Sequence, residues 1–291
     1  NFMPELKQMS EANNWSIQET HDRLKAYYDG YHFSRRNMVD VYNPYSLVNA
    51  LKSKEIINFW ASSGATSLLP KFVDNAELRL SKFENCSIMR NTLELSDVSG
   101  GGAELFLYQS GYLTIKESDE FGYILGFPNE EVKQALYETV LPALAMRSEN
   151  EIQSLQAGLY RELGTGQIDE AMNSLKALIA DVPYSNKKLA SMDMEERYRL
   201  IISTIMNAIG LSVEVEKMIS TGRIDMTVKT SRYIYVIELK LRNNGGKEAA
   251  TEQILNRQYM EPFKADKRKV IGLGIELDEE GKGLLDWKRA E

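Results

Sequence analysis

The sequence predicts an α/β chain in two parts. A mostly helical region with a small hairpin comes first, and an αβββαβ unit follows from Asp193. Three observations predict this. Apolar residues recur at helical spacing through most of the first 190 positions. Strand-length runs rich in β-branched and aromatic residues gather after Gly210. One helical pattern precedes those runs, and a second separates the last long run from the others. The 291 residues are 43% hydrophobic, enough for two cores. The expected divisions are 1–128, a linker-like helical stretch 129–192, and 193–291.

Taken in order, residues 1–30 read as helices. Ser16 caps a run over 17–28, with Glu19 three positions on as the partner of a capping box. Tyr28 to Phe33 is a turn dense in aromatics. Asn43-Pro44 marks a turn and the start of a helix. A helix is expected over 67–72, and another over 104–109. A hairpin follows, with strands over 113–116 and 123–127, and helices followed by a hairpin fit a winged-helix pattern. Pro128-Asn129 opens a helix over 132–146 with Glu130 and Glu131 in its favourable first turn, and Pro142 bends or ends it. Helices over 149–163 and 168–180 are separated by Gly164-Thr165-Gly166, and Val182-Pro183-Tyr184 closes the second.

From Asp193, the residues Met194, Tyr198, Ile201, Ile205 and Ala208 share one helical face. Gly210 ends that helix. Strands are expected over 211–219, 224–229 and 233–241, a helix over 247–260 stopped by Pro262, and a strand over 269–275. Residues 284–287 add a small edge.

The chemistry gathers between Gly222 and Gln258. The run Tyr233 to Leu241 reads as a central strand, apolar on both faces until its end. Alternation puts Glu238 and Lys240 on one face. Asp225 opens the preceding strand, so an antiparallel pairing brings the two carboxylates together. Two carboxylates and waters form an all-oxygen site suited to Mg²⁺ or Mn²⁺. Lys240 beside them is placed to orient a water or to stabilise developing negative charge. An isolated Glu-x-Lys usually means a surface ion pair, so the ordered set carries the signal.

Gly222-Arg223-Ile224-Asp225, the Glu238-Leu239-Lys240 that closes the next strand, and Gln253-Ile254 with Tyr259 on the helix behind resemble the PD-(D/E)XK nuclease superfamily. The branch resembled is one found beside an AAA-ATPase-like domain. The resemblance implies a restriction-endonuclease-like core and a Mg²⁺- or Mn²⁺-dependent nuclease acting on nucleic acid, DNA more than RNA. It implies Asp225, Glu238, Lys240 and Gln253 as catalytic residues and Asp225, Glu238 and Glu196 as the metal shell. Arg223, Arg257 and Tyr259 would meet substrate. Glu195 competes with Glu196 for the helix acid. Where the family usually continues Tyr-His, this chain has Arg199-Leu200. For Gln253 a surface amide, for Tyr259 a core aromatic, and for Arg223 a partner of Asp225 are equally physical readings.

The first 65 or so residues, with Tyr-Asp-Gly-Tyr-His-Phe at 28–33, Tyr-Asn-Pro-Tyr-Ser-Leu at 42–47 and Phe-Trp-Ala-Ser-Ser-Gly at 59–64, resemble the end of that ATPase-like domain. No Gly-x-x-x-x-Gly-Lys-Ser/Thr occurs anywhere, so no nucleotide site is expected in this chain. Asn1 falls in a helical context, which points to a longer protein with an upstream ATPase-like part.

Net charge is −7, which argues against a wholly basic nucleic-acid binder. From Asp193 onward Lys plus Arg and Asp plus Glu balance at seventeen each, so the excess acid lies earlier. Lys229, Arg232, Lys240, Arg242, Lys247, Arg257 and Lys264 are candidates for a basic rim. Cys86 is the one cysteine, and with two histidines a structural zinc site is not expected. The absence of a long apolar run and of a signal peptide predicts no membrane span and a cytoplasmic location. A homo-oligomer is compatible with this composition. The rival reading is a catalytically silent nuclease-fold scaffold.

Overall fold

The computed structural model describes residues 2–32, 38–63, 83–93, 102–145, 149–180 and 192–290. The chain divides into two compact units, Asn1–Thr139 and Val140–Glu291. The helices expected at 67–72 and the helix end at 182–184 lie outside the described residues.

In the first unit, α1 (Met3–Asn13), α2 (Ile17–Tyr28) and α3 (Pro44–Ser53) close around Met9, Leu24, Tyr28, Ala50 and Leu51. The caps are those the sequence predicts. The Ser16 hydroxyl accepts the Glu19 N–H at 3.0 Å, and Asn43 accepts from Tyr45 and Ser46. Strand β1 (Cys86–Met89), the single turn α4 (Arg90–Leu93), α5 (Gly102–Gln109), β2 (Thr114–Ser118) and β3 (Gly122–Gly126) follow. The hairpin forms, but as part of a three-stranded sheet in the order β1-β3-β2. Strand β1 is four residues long and buries only Ile88, so it carries no readable alternation. Helix α6 (Glu130–Ala145) runs on past Pro142.

The second unit holds α7 (Glu149–Thr165), α8 (Ile168–Ala180), α9 (Met194–Ala208), β4 (Ser212–Ile219), β5 (Gly222–Lys229), β6 (Tyr233–Leu241), α10 (Gly246–Asn256), β7 (Lys269–Leu277) and β8 (Leu284–Ala290). The strands form one sheet in sequence order, antiparallel except for the parallel β6–β7 pair that α10 connects. A parallel pair needs such a crossover, and a helix supplies it. Helix α10 covers one face, where Ile224, Ile234, Val236, Ile254, Tyr259 and Phe263 form a core. Gly274 lets it settle closely, since a Cβ there would stand 2.7 Å from the Lys247 carbonyl oxygen.

Tyr235, on the alternate positions of β6, donates its hydroxyl to the Leu163 carbonyl at 2.6 Å, which ties α7 to the sheet. Helix α9 starts at Asp193, whose carboxylate accepts the Glu196 N–H. The sequence predicts one apolar face for α9. In the structure every residue from Tyr198 to Ala208 except Arg199 is buried. The reason is that α9 packs both on the sheet and against α8. Its polar Ser203 and Asn207 are satisfied within the helix, through Leu200 and Ser203 carbonyls.

Candidate active site

Strands β5 and β6 pair with Met226 opposite Ile237, and the ladder stops there. One step further would set Asp225 opposite Glu238. At that step the side chains take over the donors. Asp225 Oδ2 accepts the Leu239 N–H at 3.0 Å, and Glu238 Oε2 accepts the Asp225 N–H at 3.4 Å. Each carboxylate is thus held by backbone from the opposite strand. Asp225 is 7% exposed and Glu238 2%.

Burying the Glu238 carboxylate beside Asp225 opposes its ionisation. Burial first, and then the Asp225 charge, push the Glu238 carboxyl up to about 8, against the Asp225 N–H and the Lys240 ammonium, which pull it down. Glu238 is therefore the carboxyl of the site that favours its protonated form near neutral pH, and a divalent cation held there would displace that proton.

These groups open onto a cavity of about 600 Å³. Lys240 lines it, and no ion pair or hydrogen bond holds its ammonium among the described residues. Gln253, from α10, lines it too and donates its amide to Glu238 Oε1, with the Tyr259 hydroxyl 3.4 Å from the same nitrogen. Tyr259 is 2% exposed, belongs to the apolar core and also lines the cavity. Gly222, at φ 155°, passes beside that hydroxyl, and a Cβ there would meet it at 2.8 Å. Arg257, at the end of α10, bonds the Thr221 carbonyl at 3.4 Å and stays exposed on the rim.

The structure bears on two expectations. Glu196 is not among the cavity's lining residues, and Glu195 is. Capping fixes this helical phase: Asp193 holds the Glu196 N–H, while the Glu195 side chain reaches the Leu241 N–H and the Asn244 amide. Arg223 pairs with Glu216 at 3.1 Å, not with Asp225. The cation beside Asp225 is Arg199, whose Nη2 lies 3.2 Å from Oδ1 while its Nη1 lies 3.0 Å from Glu216. Sequence reasoning missed Arg199 as a site residue. Its signal was present, since Glu195 and Arg199 are four apart and share a helix face.

Most of the predicted basic rim is neutralised. Lys229 pairs with Glu214, Arg242 with Glu276, Lys247 with Asp286 and Lys264 with Glu261. Around the cavity, Glu195, Asp225, Glu238 and Glu252 stand against Arg199, Arg223, Lys240 and Arg257.

As a cation site, Asp225 and Glu238 supply two hard oxygen donors. Among the described residues no group of three His, Cys, Asp or Glu is placed to hold a metal ion. Mg²⁺ is commonly held by one or two carboxylates, with water and substrate phosphate completing the shell, so the pair fits that ion class.

A protein-family model for the PD-(D/E)XK nuclease superfamily matches residues 193–287. Residues 193–287 are a PD-(D/E)XK nuclease superfamily domain. The PD-(D/E)XK sheet, with α9 and α10 against it and Asp225, Glu238 and Lys240 at one cavity, is consistent with that superfamily's fold. The chain is also similar to an uncharacterized protein in the vnfD 5′ region of Azotobacter chroococcum mcd 1, 26% identical over 279 residues. The match covers 91% of this chain and 52% of that protein, so the chain spans about half the length of this curated relative. No solved structure matches the chain. No helix among the described residues is long and apolar enough to cross a membrane.

Proposed function

We propose that the 193–287 domain hydrolyses phosphodiester bonds in nucleic acid, DNA in preference to RNA, with Mg²⁺ or Mn²⁺ as its cofactor. The observation that carries this reading is the meeting of Asp225 and Glu238 beside Lys240 in one polar cavity. Asp225 and Glu238 hold the cation, which when bound polarises a phosphoryl oxygen and acidifies a water. The Lys240 ammonium orients the attacking water and offsets charge that develops at phosphorus. Gln253 fixes Glu238 through Oε1, and Tyr259 keeps Gln253 in place from the core. Arg223 and Arg257 are exposed guanidinium groups on the rim, suited to phosphates flanking the cleaved bond. We also propose a cytoplasmic location, with either a second copy of the chain or an ATPase-like domain as its protein partner.

Nicking of supercoiled plasmid with Mg²⁺ or Mn²⁺, by the wild type and by Lys240→Ala and Glu238→Ala, tests the reading. Loss of nicking in both variants supports it, and equal nicking by all three defeats it. One observation favours the scaffold reading: Arg199 already occupies Asp225. Calorimetric titration with Mn²⁺ separates the two, since a scaffold would take up no more cation than Asp225→Ala does.

A further inference from the structure

Arg199 is placed where a simple structural ion pair is costly. Its side chain is 14% exposed and spans two acids, Asp225 and Glu216. Its Nε is buried without a hydrogen-bond partner among the described residues. A buried donor left over means the cost of burying the guanidinium is not recovered in full. The second anchor is strained as well. Glu216 has φ 53°, a left-handed conformation that a residue with a Cβ rarely adopts, and Arg223 draws on the same Oε1. Two local penalties therefore meet at one contact, beside the carboxylate that a cation would need.

The ligand supply points the same way. Two carboxylates meet at the site, and although Glu195 and Glu252 also line the cavity, no three acids among the described residues are placed together to hold a metal ion. A divalent cation entering there shares Asp225 Oδ1 with a positive charge at 3.2 Å. Like charges so close oppose each other strongly away from bulk water. An anionic phosphate changes both terms, because it completes the cation's oxygen shell and offers the guanidinium a new partner.

We propose that Arg199 is a positioning residue that makes cation uptake at Asp225 and Glu238 depend on a bound phosphodiester. With the cavity empty, Arg199 bridges Asp225 and Glu216 and keeps cation affinity low. With a phosphodiester present, the guanidinium turns to the phosphate and leaves Asp225 to the cation. By linkage, the cation then raises affinity for the phosphodiester by the same factor. This rests on the phosphodiesterase reading above.

The test is Mn²⁺ titration followed by electron paramagnetic resonance. It uses the full chain, alone and with a short non-hydrolysable phosphorothioate duplex. The wild type should bind Mn²⁺ on the order of tenfold more tightly with the duplex than without. Arg199→Met and Arg199→Gln should bind Mn²⁺ on the order of tenfold more tightly than the wild type when alone, and gain little from the duplex. Arg199→Lys, which keeps the charge, should behave as the wild type does. A merely structural arginine would weaken Mn²⁺ binding when removed, which is the opposite sign. Thermal melts show which variants are folded, and the Met and Gln variants give two independent chances. Mn²⁺ uptake by the uncharged variants no tighter than by the wild type overturns the proposal, as does a duplex without effect on the wild type. No uptake by any form, with or without duplex, overturns the cation site itself and this proposal with it.

Discussion

Asp225 donates its backbone N–H to Glu238 Oε2 at 3.4 Å, one step beyond the last rung of the β5–β6 ladder. The contact joins backbone of one strand to side chain of the next at the point where regular pairing ends. It holds Glu238 in a buried position where burial and the Asp225 charge raise its pKa.

That raised pKa gives a stability profile for the cation-free protein. Glu238 binds its proton more tightly folded, near 8, than unfolded, near 4.5. Its contribution is fully present below 4.5 and is lost as pH rises through about 8. The slope in this window is at most about 1.4 kcal/mol per pH unit. Urea denaturation with a chelator present should show the wild type losing stability across the window relative to Glu238→Gln. Parallel profiles for the two proteins would contradict the assignment.

Lys240→Ala removes a cation that no described residue holds by hydrogen bond or ion pair. Turnover on plasmid should fall about 10²- to 10³-fold, while unfolding free energy should change by no more than ~0.5 kcal/mol. A large loss of stability with proportional loss of activity would make Lys240 a folding residue.

Gly222→Ala should disturb the cavity from outside the acids. The new Cβ would meet the Tyr259 hydroxyl, at a φ that side chains disfavour. A loss of about 1–3 kcal/mol is expected. Tyr259→Phe in the same chain should restore part of it, because the oxygen in the way is gone. Equal stability of the Ala variant and the wild type, by urea denaturation, would refute the close approach.

Tyr235→Phe tests the packing of α7 on the sheet. It removes the 2.6 Å bond to Leu163 and leaves that carbonyl with only the longer 3.4 Å bond from the Gly166 N–H. The cost should be about 1–3 kcal/mol, with phosphodiester cleavage unchanged because Tyr235 stands away from the cavity. Loss of cleavage with stability intact would contradict the separation of the two roles.

Much of the second unit was legible in the sequence. Runs rich in β-branched and aromatic residues, bounded by Gly and polar turns, marked β5 and β6, and Asp193 and Gly210 bracketed α9. Antiparallel pairing then predicted that Asp225 and Glu238 meet, as the register shows. What could not be read depended on contacts distant in sequence. The all-round burial of α9 comes from α8, which no local pattern in α9 encodes. The choice between Glu195 and Glu196 turned on helical phase, a matter of 100° per residue, fixed by the Asp193 cap and by Asn244. Arg199 found its partners on β4 and β5, and the fate of each rim lysine depended on an acid from another segment.

The even match of acids and bases around the cavity has a consequence for encounter. A polyanion approaching from a distance meets charges of both signs there, on a protein of net charge −7, so long-range steering contributes little to its capture. Association should be slow for a protein of this kind and should weaken only gently as salt is added. Selectivity then falls to short-range fit at the mouth, after collision and not before it.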